Sequence, residues 1–99
     1  MINITAVEGC SATLPWSYDP LLGEPLGLAV IKTGLPPTTL LTKVGGEEAD
    51  PRESRFVFIE NAGIIIHDVT IEDGGVYELR VVFNNLSIYQ QAELHVTGK

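Results

Sequence analysis

Apolar and polar residues alternate in short runs along this chain, and glycine, proline, aspartate and asparagine separate the runs. No segment keeps a helical period for three turns, so the pattern predicts an all-β protein. The runs predict eight strands, which we letter A to G with an additional strand C′. They are A near Ile4–Val7, B near Ala12–Ser17, C near Gly27–Thr33, C′ near Thr39–Val44, D near Phe56–Glu60, E near Ile64–Asp68, F near Gly75–Phe83 and G near Ile88–Val96.

Size and composition indicate one globular domain over residues 1–99. The chain is 44% apolar and 19% charged, and its longest apolar runs are far shorter than a membrane span. Its net charge of −7 leaves no basic stripe for phosphates, so neither nucleic acid nor an anionic membrane surface is expected as a partner.

Two segments carry a family resemblance. The run from Gly9 to Tyr18, Gly-Cys-Ser-Ala-Thr-Leu-Pro-Trp-Ser-Tyr, resembles the strand B pattern Gly-x-Ser-x-Thr-Leu-Pro-Cys-x-Tyr of V-set immunoglobulin domains. The run from Asp73 to Leu79, Asp-Gly-Gly-Val-Tyr-Glu-Leu, resembles the corner before strand F and the start of that strand. The resemblance implies an immunoglobulin-like, V-set-like Greek-key sandwich of two sheets. Trp16 and Leu79 occupy the positions of the two cysteines, so the inter-sheet disulfide is expected to be absent.

The same resemblance assigns structural roles to several residues. Trp16 is expected to pack between the sheets against Leu79, with Val30 in the place of the usual strand C tryptophan. The hydroxyl of Tyr77 is expected to bond to backbone near Asp73, and Arg55 to pair with the Asp73 carboxylate.

The single cysteine and two glycosylation motifs bear on the compartment. Cys10 shares the parity of the inward residues of strand B, which predicts a small buried residue, with an intermolecular disulfide as the alternative. Asn3-Ile4-Thr5 and Asn85-Leu86-Ser87 both match the N-glycosylation pattern. Such triplets also arise by chance, but beside the immunoglobulin pattern they favour an extracellular protein.

Catalytic chemistry has no residue pattern to support it. His67 and His95 fit no metal-ligand spacing and are predicted to be solvated strand residues. The acidic segment from Glu47 to Glu53 lacks the ligand spacing of an EF-hand and is predicted to be a solvated loop. No Gly-x-Ser-x-Gly elbow is present. We therefore expect neither an enzyme nor a cofactor or metal site.

Function is then expected on a surface, and V-set domains usually bind through the G-F-C-C′ sheet. If Tyr77 and Leu79 point inward, alternation points Glu78 and Arg80 outward. Apolar groups among charges of both signs suit a reversible protein interface. The predicted partner-binding residues are Ile31, Thr33, Glu78, Arg80, Val82, Tyr89 and Gln91.

The missing disulfide is similar to that of the N-terminal domains of the carcinoembryonic-antigen and signalling-lymphocyte-activation adhesion families, which bind through this sheet. The chain also resembles membrane-distal domains of cnidarian allorecognition receptors, which bind like alleles across cells. These resemblances imply a module excised from a larger, membrane-anchored cell-surface protein, which binds itself or a related immunoglobulin domain. The alternative is a structural immunoglobulin module of an intracellular, I-set type protein. The two glycosylation motifs and the long interval between strands C and D disfavour that alternative.

Overall fold

The computed structural model describes residues 2–59 and 63–98, with the Pro20 side chain excluded. The predicted end of strand D, Glu60, lies outside the described residues. These residues form nine strands and two short 3-10 helices. The strands are β1 (Ile2–Val7), β2 (Ala12–Leu14), β3 (Gly27–Lys32), β4 (Thr38–Val44), β5 (Asp50–Pro51), β6 (Phe56–Ile59), β7 (Gly63–Ile66), β8 (Gly75–Val82) and β9 (Ser87–Thr97), and the 3-10 helices are Pro20–Leu22 and Ile71–Asp73.

The strands form two sheets, of six and three strands. The larger sheet has the order β1-β9-β8-β3-β4-β5, and the smaller has the order β2-β7-β6. In immunoglobulin lettering these are A′-G-F-C-C′-C″ and B-E-D, so the predicted V-set-like all-β sandwich is confirmed. β1 runs parallel to β9 and lies at the edge of the larger sheet, where Asn3 is opposite Glu93.

The hydrophobic core lies between the two sheets. Alternation along β8 buries Tyr77, Leu79 and Val81, and alternation along β9 buries Ala92 and Leu94. Trp16 is 2% exposed and belongs to the same buried cluster as Leu79 and Val30. The indole Nε1 of Trp16 has no hydrogen-bond partner among the described residues.

Strand B is shorter than predicted and ends at Leu14. Pro15 has no N–H to continue the ladder, and the Trp16 N–H instead bonds to the Leu14 carbonyl at 2.9 Å. The predicted end of strand E at Asp68 is also too long, because β7 ends at Ile66 and Asp68 has a φ of 51°. That left-handed conformation is incompatible with an extended strand.

The prediction that Cys10 is buried is wrong, because the side chain is exposed. Cys10 lies in the turn between β1 and β2, where its N–H bonds to the Val7 carbonyl at 3.0 Å. The alternation of faces that the prediction extended from strand B applies only within a strand.

One strand was not predicted. Asp50 and Pro51 pair with Thr42 and Leu41 as β5, within the segment interpreted as a solvated acidic loop. Two paired residues are too few for a period-2 pattern to be visible in the sequence.

Candidate recognition surface

The outer face of the six-stranded sheet, which points away from the core, carries the predicted partner-binding residues in cross-strand rows. Arg80 lies between Ala29 and Tyr89, and Glu78 lies between Ile31 and Gln91. Because successive residues point to opposite sides of a sheet, Arg80 and Glu78 share this face. The register therefore brings Ile31, Glu78, Arg80, Tyr89 and Gln91 together.

Thr33 and Val82 lie at opposite ends of the same face. Thr33 follows β3, and its hydroxyl donates to the Val76 carbonyl at 3.0 Å. Val82 is opposite Gly27 and Ser87 at the other end of β8. The seven predicted residues therefore extend along the whole length of β8 rather than forming one compact spot.

The exposure of these residues differs from the expectation in one respect. Tyr89 is 63% exposed and Val82 is 43% exposed, whereas Ile31 is partly buried. Ile31 therefore offers less apolar surface to a partner than its outward direction suggests. The guanidinium Nη2 of Arg80 lies 3.3 Å from the Oε2 of Glu78, and the arginine is the more exposed of the two side chains. Cation and carboxylate are thus adjacent in the middle of the face.

An exposed group of large apolar side chains lies where β3, β4 and β8 reach the end of the sandwich. The backbone of Gly27 pairs with Val44 on one side and with Val82 on the other. The Leu26 N–H donates to the Val82 carbonyl at 2.7 Å, and the Leu26 carbonyl accepts from Gly45 at 2.9 Å. We call Leu26, Val44, Val82 and Leu86 the apolar patch; they are 56%, 62%, 43% and 47% exposed.

Leu86 joins the patch through the turn between β8 and β9. Its carbonyl accepts a 2.7 Å hydrogen bond from the Phe83 N–H, which closes the turn beside Val82. Gly27 has no Cβ, so the outer face is shallow between Val44 and Val82. There is room for a side chain here, because a Cβ placed at Gly27 would lie 3.7 Å from the Lys43 carbonyl oxygen, which is ordinary van der Waals contact.

Sequence reasoning did not include Leu26, Val44 or Leu86 in the candidate surface. Leu26 and Leu86 lie in turns, where strand alternation does not assign a direction. Alternation along β4 does assign a direction to Val44. Only the pairing of both Val44 and Val82 with Gly27 shows that the two valines lie near each other.

Open depressions border the sheets, and two of them bear on the predicted surface. One of about 430 Å³ is lined by Ile2, Glu78, Tyr89, Gln90 and Gln91, so it includes three of the predicted partner-binding residues. The other, of about 490 Å³, lies between β4 and β6 and reaches the buried Leu41 and Phe56. The second depression contains none of the predicted residues.

The two N-glycosylation motifs are both accessible. Asn3 is exposed on edge strand β1, and Asn85 is exposed in the turn between β8 and β9. Asn3 is opposite Glu93, which is opposite Val76, so Asn3 shares the outer face with the predicted residues. Asn85 lies at the other end of that face, beside Leu86.

The corner at the base of β8 holds the structural residues. Arg55 places Nη1 at 2.6 Å from Asp73 Oδ2 and Nη2 at 2.8 Å from Asp73 Oδ1. The Thr70 N–H donates to Asp73 Oδ2 at 2.8 Å, and the Tyr77 hydroxyl donates to the Asp73 carbonyl. Both contacts implied by the resemblance, Arg55 with Asp73 and Tyr77 with the corner backbone, are therefore present.

These contacts change the acidity of the groups in the corner. Burial acts to raise the pKa of Asp73, but hydrogen bonds from Arg55 and Thr70 outweigh it and hold the pKa below its ordinary value. The hydrogen bond with Asp73 raises the pKa of Arg55. Burial raises the pKa of the Tyr77 hydroxyl. The corner therefore holds a charged pair beside a neutral tyrosine.

The remaining chemistry-bearing residues stay apart. His67 and His95 are exposed as predicted, and Nδ1 of His67 shares a 2.8 Å hydrogen bond with the Ser11 hydroxyl. No group of three or more potential metal ligands occurs in residues 2–59 and 63–98. Within the same ranges, the structure contains no helix long and apolar enough to cross a membrane.

Comparison with solved structures supports the V-set immunoglobulin class. A structure of CD84, solved for insight into the function of the SLAM family, superposes with a TM-score of 0.82 at 14% identity, over 100% of this chain and 99% of that one. A Tim-1 structure has a TM-score of 0.84 at 18% identity, over 99% of this chain and 93% of that chain. Murine CEACAM1b has a TM-score of 0.81 at 20% identity, over 98% of this chain and 53% of that chain.

At these identities the likeness shows the fold alone. The chain has a V-set immunoglobulin-like fold, with two sheets and a single cysteine that precludes an intrachain disulfide. No family model matches the sequence, and no curated protein matches it.

Proposed function

We propose that this chain is an extracellular recognition domain that binds a second immunoglobulin domain, either a copy of itself or a close relative, through the outer face of the six-stranded sheet. The observation that carries the proposal is the apolar patch beside the Glu78 and Arg80 pair. Large exposed apolar groups that adjoin paired charges are typical of a reversible protein interface.

The class of fold is consistent with this role. One structural neighbour is the murine receptor in a complex with a coronavirus receptor-binding domain, so this framework can present a protein-binding surface. Another neighbour, Tim-4, was solved in complex with phosphatidylserine. For this chain, a net charge of −7 opposes binding to an anionic lipid surface, which favours a protein partner.

A copy of this chain suits the arrangement of charges. Glu78 and Arg80 are neighbours on the outer face, so a two-fold axis passing between them places each arginine near the glutamate of the other copy. The apolar patch and Tyr89 then contribute the contacts that lose water on association.

We further propose that the chain is one module of a larger, membrane-anchored cell-surface protein. A single such domain is expected to bind weakly, with a Kd of roughly micromolar or above, because receptors gain avidity from multiple contacts between cells. Binding of like domains across cells is the role that allorecognition requires.

The structural I-set module remains the competing interpretation. The larger sheet weighs against it, because β4 and β5 occupy the C′ and C″ positions that distinguish V-set domains. A purely structural module also has no use for the exposed patch.

The test is self-association of the unmodified domain in solution and on beads. Wild type should form reversible dimers in sedimentation and should aggregate beads at high surface density. Arg80→Glu should abolish both, because it sets like charges against each other at an exposed position. Arg52→Glu is the matched control, because it makes the same charge change at an exposed residue after β5.

Two outcomes would contradict the proposal. If wild type stays monomeric in solution and does not aggregate densely coated beads, the domain does not bind a copy of itself. Equal losses in Arg80→Glu and Arg52→Glu would show a general charge effect rather than a specific face.

A further inference from the structure

The glycosylation motif Asn85-Leu86-Ser87 overlaps the apolar patch at one residue. Leu86 is itself a member of the patch, and Ser87 is opposite Val82 in the pairing of β8 with β9. The acceptor Asn85 is exposed in the turn that the Phe83 to Leu86 hydrogen bond closes, outside both strands. A modifying enzyme can reach such a position without disturbing the hydrogen bonds between strands.

The patch is an unusual surface for a free domain. Its four large apolar side chains are each at least 43% exposed. The Leu26 backbone bonds to Val82 and to Gly45, which follows Val44, and the Leu86 carbonyl accepts from Phe83, which follows Val82. Exposed apolar side chains grouped at one end of a domain mark a site that is covered in some state of the molecule. An N-linked glycan is bulky and solubilising, and on Asn85 it is attached one residue from Leu86 and three from Val82.

We propose that Asn85 is an N-glycan acceptor and that its glycan covers the apolar patch, so that occupancy switches the domain from an adhesive to a shielded form. Shielding of the patch follows from the position of Asn85 alone. Its effect on adhesion rests on the proposed function.

The chain contains its own control. Asn3-Ile4-Thr5 is also exposed on the outer face, but Asn3 is opposite Glu93, which is six residues along β9 from Ser87. At about 3.3 Å per residue, the two positions are roughly 20 Å apart. A glycan on Asn3 is attached near the other end of β8 and leaves the patch open.

The experiment compares wild type, Ser87→Ala and Thr5→Ala, each secreted from eukaryotic cells behind an added signal peptide. Each alanine variant removes one motif and keeps its asparagine. Mass spectrometry measures occupancy at each site, a fluorescent dye for apolar surface measures exposure of the patch, and sedimentation measures self-association. The same proteins made in bacteria provide unglycosylated references and a check that Ser87→Ala leaves the melting temperature unchanged.

We expect Asn85 to be occupied in the secreted wild type. Ser87→Ala should then raise dye binding at least threefold, to the value of the bacterial protein, and strengthen self-association about tenfold, while Thr5→Ala leaves dye binding unchanged. Asn85→Gln should behave like Ser87→Ala, which separates loss of the glycan from any effect of the serine.

Three results would overturn the inference: an unmodified Asn85, equal dye binding in wild type and Ser87→Ala, or an equal rise in Thr5→Ala. A rise in dye binding without self-association of any form has a different meaning. It would uphold the shielding of the patch and reject the homophilic function proposed above.

Discussion

Arg55 and Asp73, eighteen residues apart in the chain, form a two-pronged ion pair that ties the entry of β6 to the corner before β8, with N–O distances of 2.6 and 2.8 Å. The carboxylate also accepts the Thr70 N–H, and the carbonyl of the same residue accepts the Tyr77 hydroxyl. One aspartate therefore joins three segments of the chain through polar contacts, so we expect its removal to reduce stability.

The lowered pKa of Asp73 predicts a loss of stability in acid. Because the folded state holds the ionised form more tightly than the unfolded state does, the pair contributes fully above the ordinary value of 3.8. That contribution is lost as the pH falls through the lowered pKa of the folded state. Thermal unfolding between pH 7 and pH 2 should show this decline, and Asp73→Asn should reduce its steepness.

At pH 7, Asp73→Asn should lower the free energy of unfolding by about 1.5–3 kcal/mol, the usual range for hydrogen bonds to charged groups. Glu53→Gln is the control, because its 3.2 Å contact with Arg55 Nε is largely exposed and should contribute below about 1 kcal/mol. Equal effects of the two changes would show that the corner pair has no special role.

Tyr77→Phe should lower the free energy of unfolding by about 1 kcal/mol, because it removes the hydrogen bond to the Asp73 carbonyl and keeps the buried ring. Denaturant titration gives the change, and self-association should be unaffected because the side chain is 1% exposed. Tyr89→Phe, on the exposed outer face, should leave stability unchanged. A Tyr77→Phe variant with wild-type stability would contradict the importance of this bond.

Trp16→Ala should cost about 3–5 kcal/mol of stability, because it leaves a cavity in the core where a disulfide usually joins the sheets. We expect the lost contacts to include Leu79, which belongs to the same buried cluster. Trp16→Phe should cost clearly less, since the indole Nε1 makes no hydrogen bond to the described residues. Equal costs for both variants, measured by denaturant unfolding, would contradict the expectation that a phenyl ring fills much of the site.

Leu26→Ser and Leu86→Ser should each weaken self-association of the unglycosylated domain about tenfold, because an apolar contact of more than about 1 kcal/mol is lost at the interface. Leu35→Ser is the matched control. Leu35 is fully exposed and lies in the loop between β3 and β4, at the opposite end of the outer face. Sedimentation equilibrium measures all three. A loss as large in Leu35→Ser would show that the effect is not confined to the patch.

The sequence by itself determined eight of the nine described strands and which of their residues point toward core or solvent. Tyr77, Leu79 and Leu94 are buried as alternation predicts, while Arg80 and Tyr89 point outward. This works because a strand of five or more residues repeats its two faces, and one face must leave water. The corner contacts of Arg55 and Tyr77 could also be predicted from the sequence, because a short motif of a few residues is enough to recognise this corner.

Tertiary structure decided the features that depend on turns and on pairing between distant segments. Cys10 is exposed because it lies in a turn, where no alternation applies. Asn3 is on the outer face because β1 pairs with β9, and nothing in the local sequence of β1 selects that partner. The apolar patch exists because Val44 and Val82 both pair with Gly27, one on each side. The turns that contain Leu26 and Leu86 end beside them. Periodicity describes one strand at a time, whereas a surface is made by the register between strands.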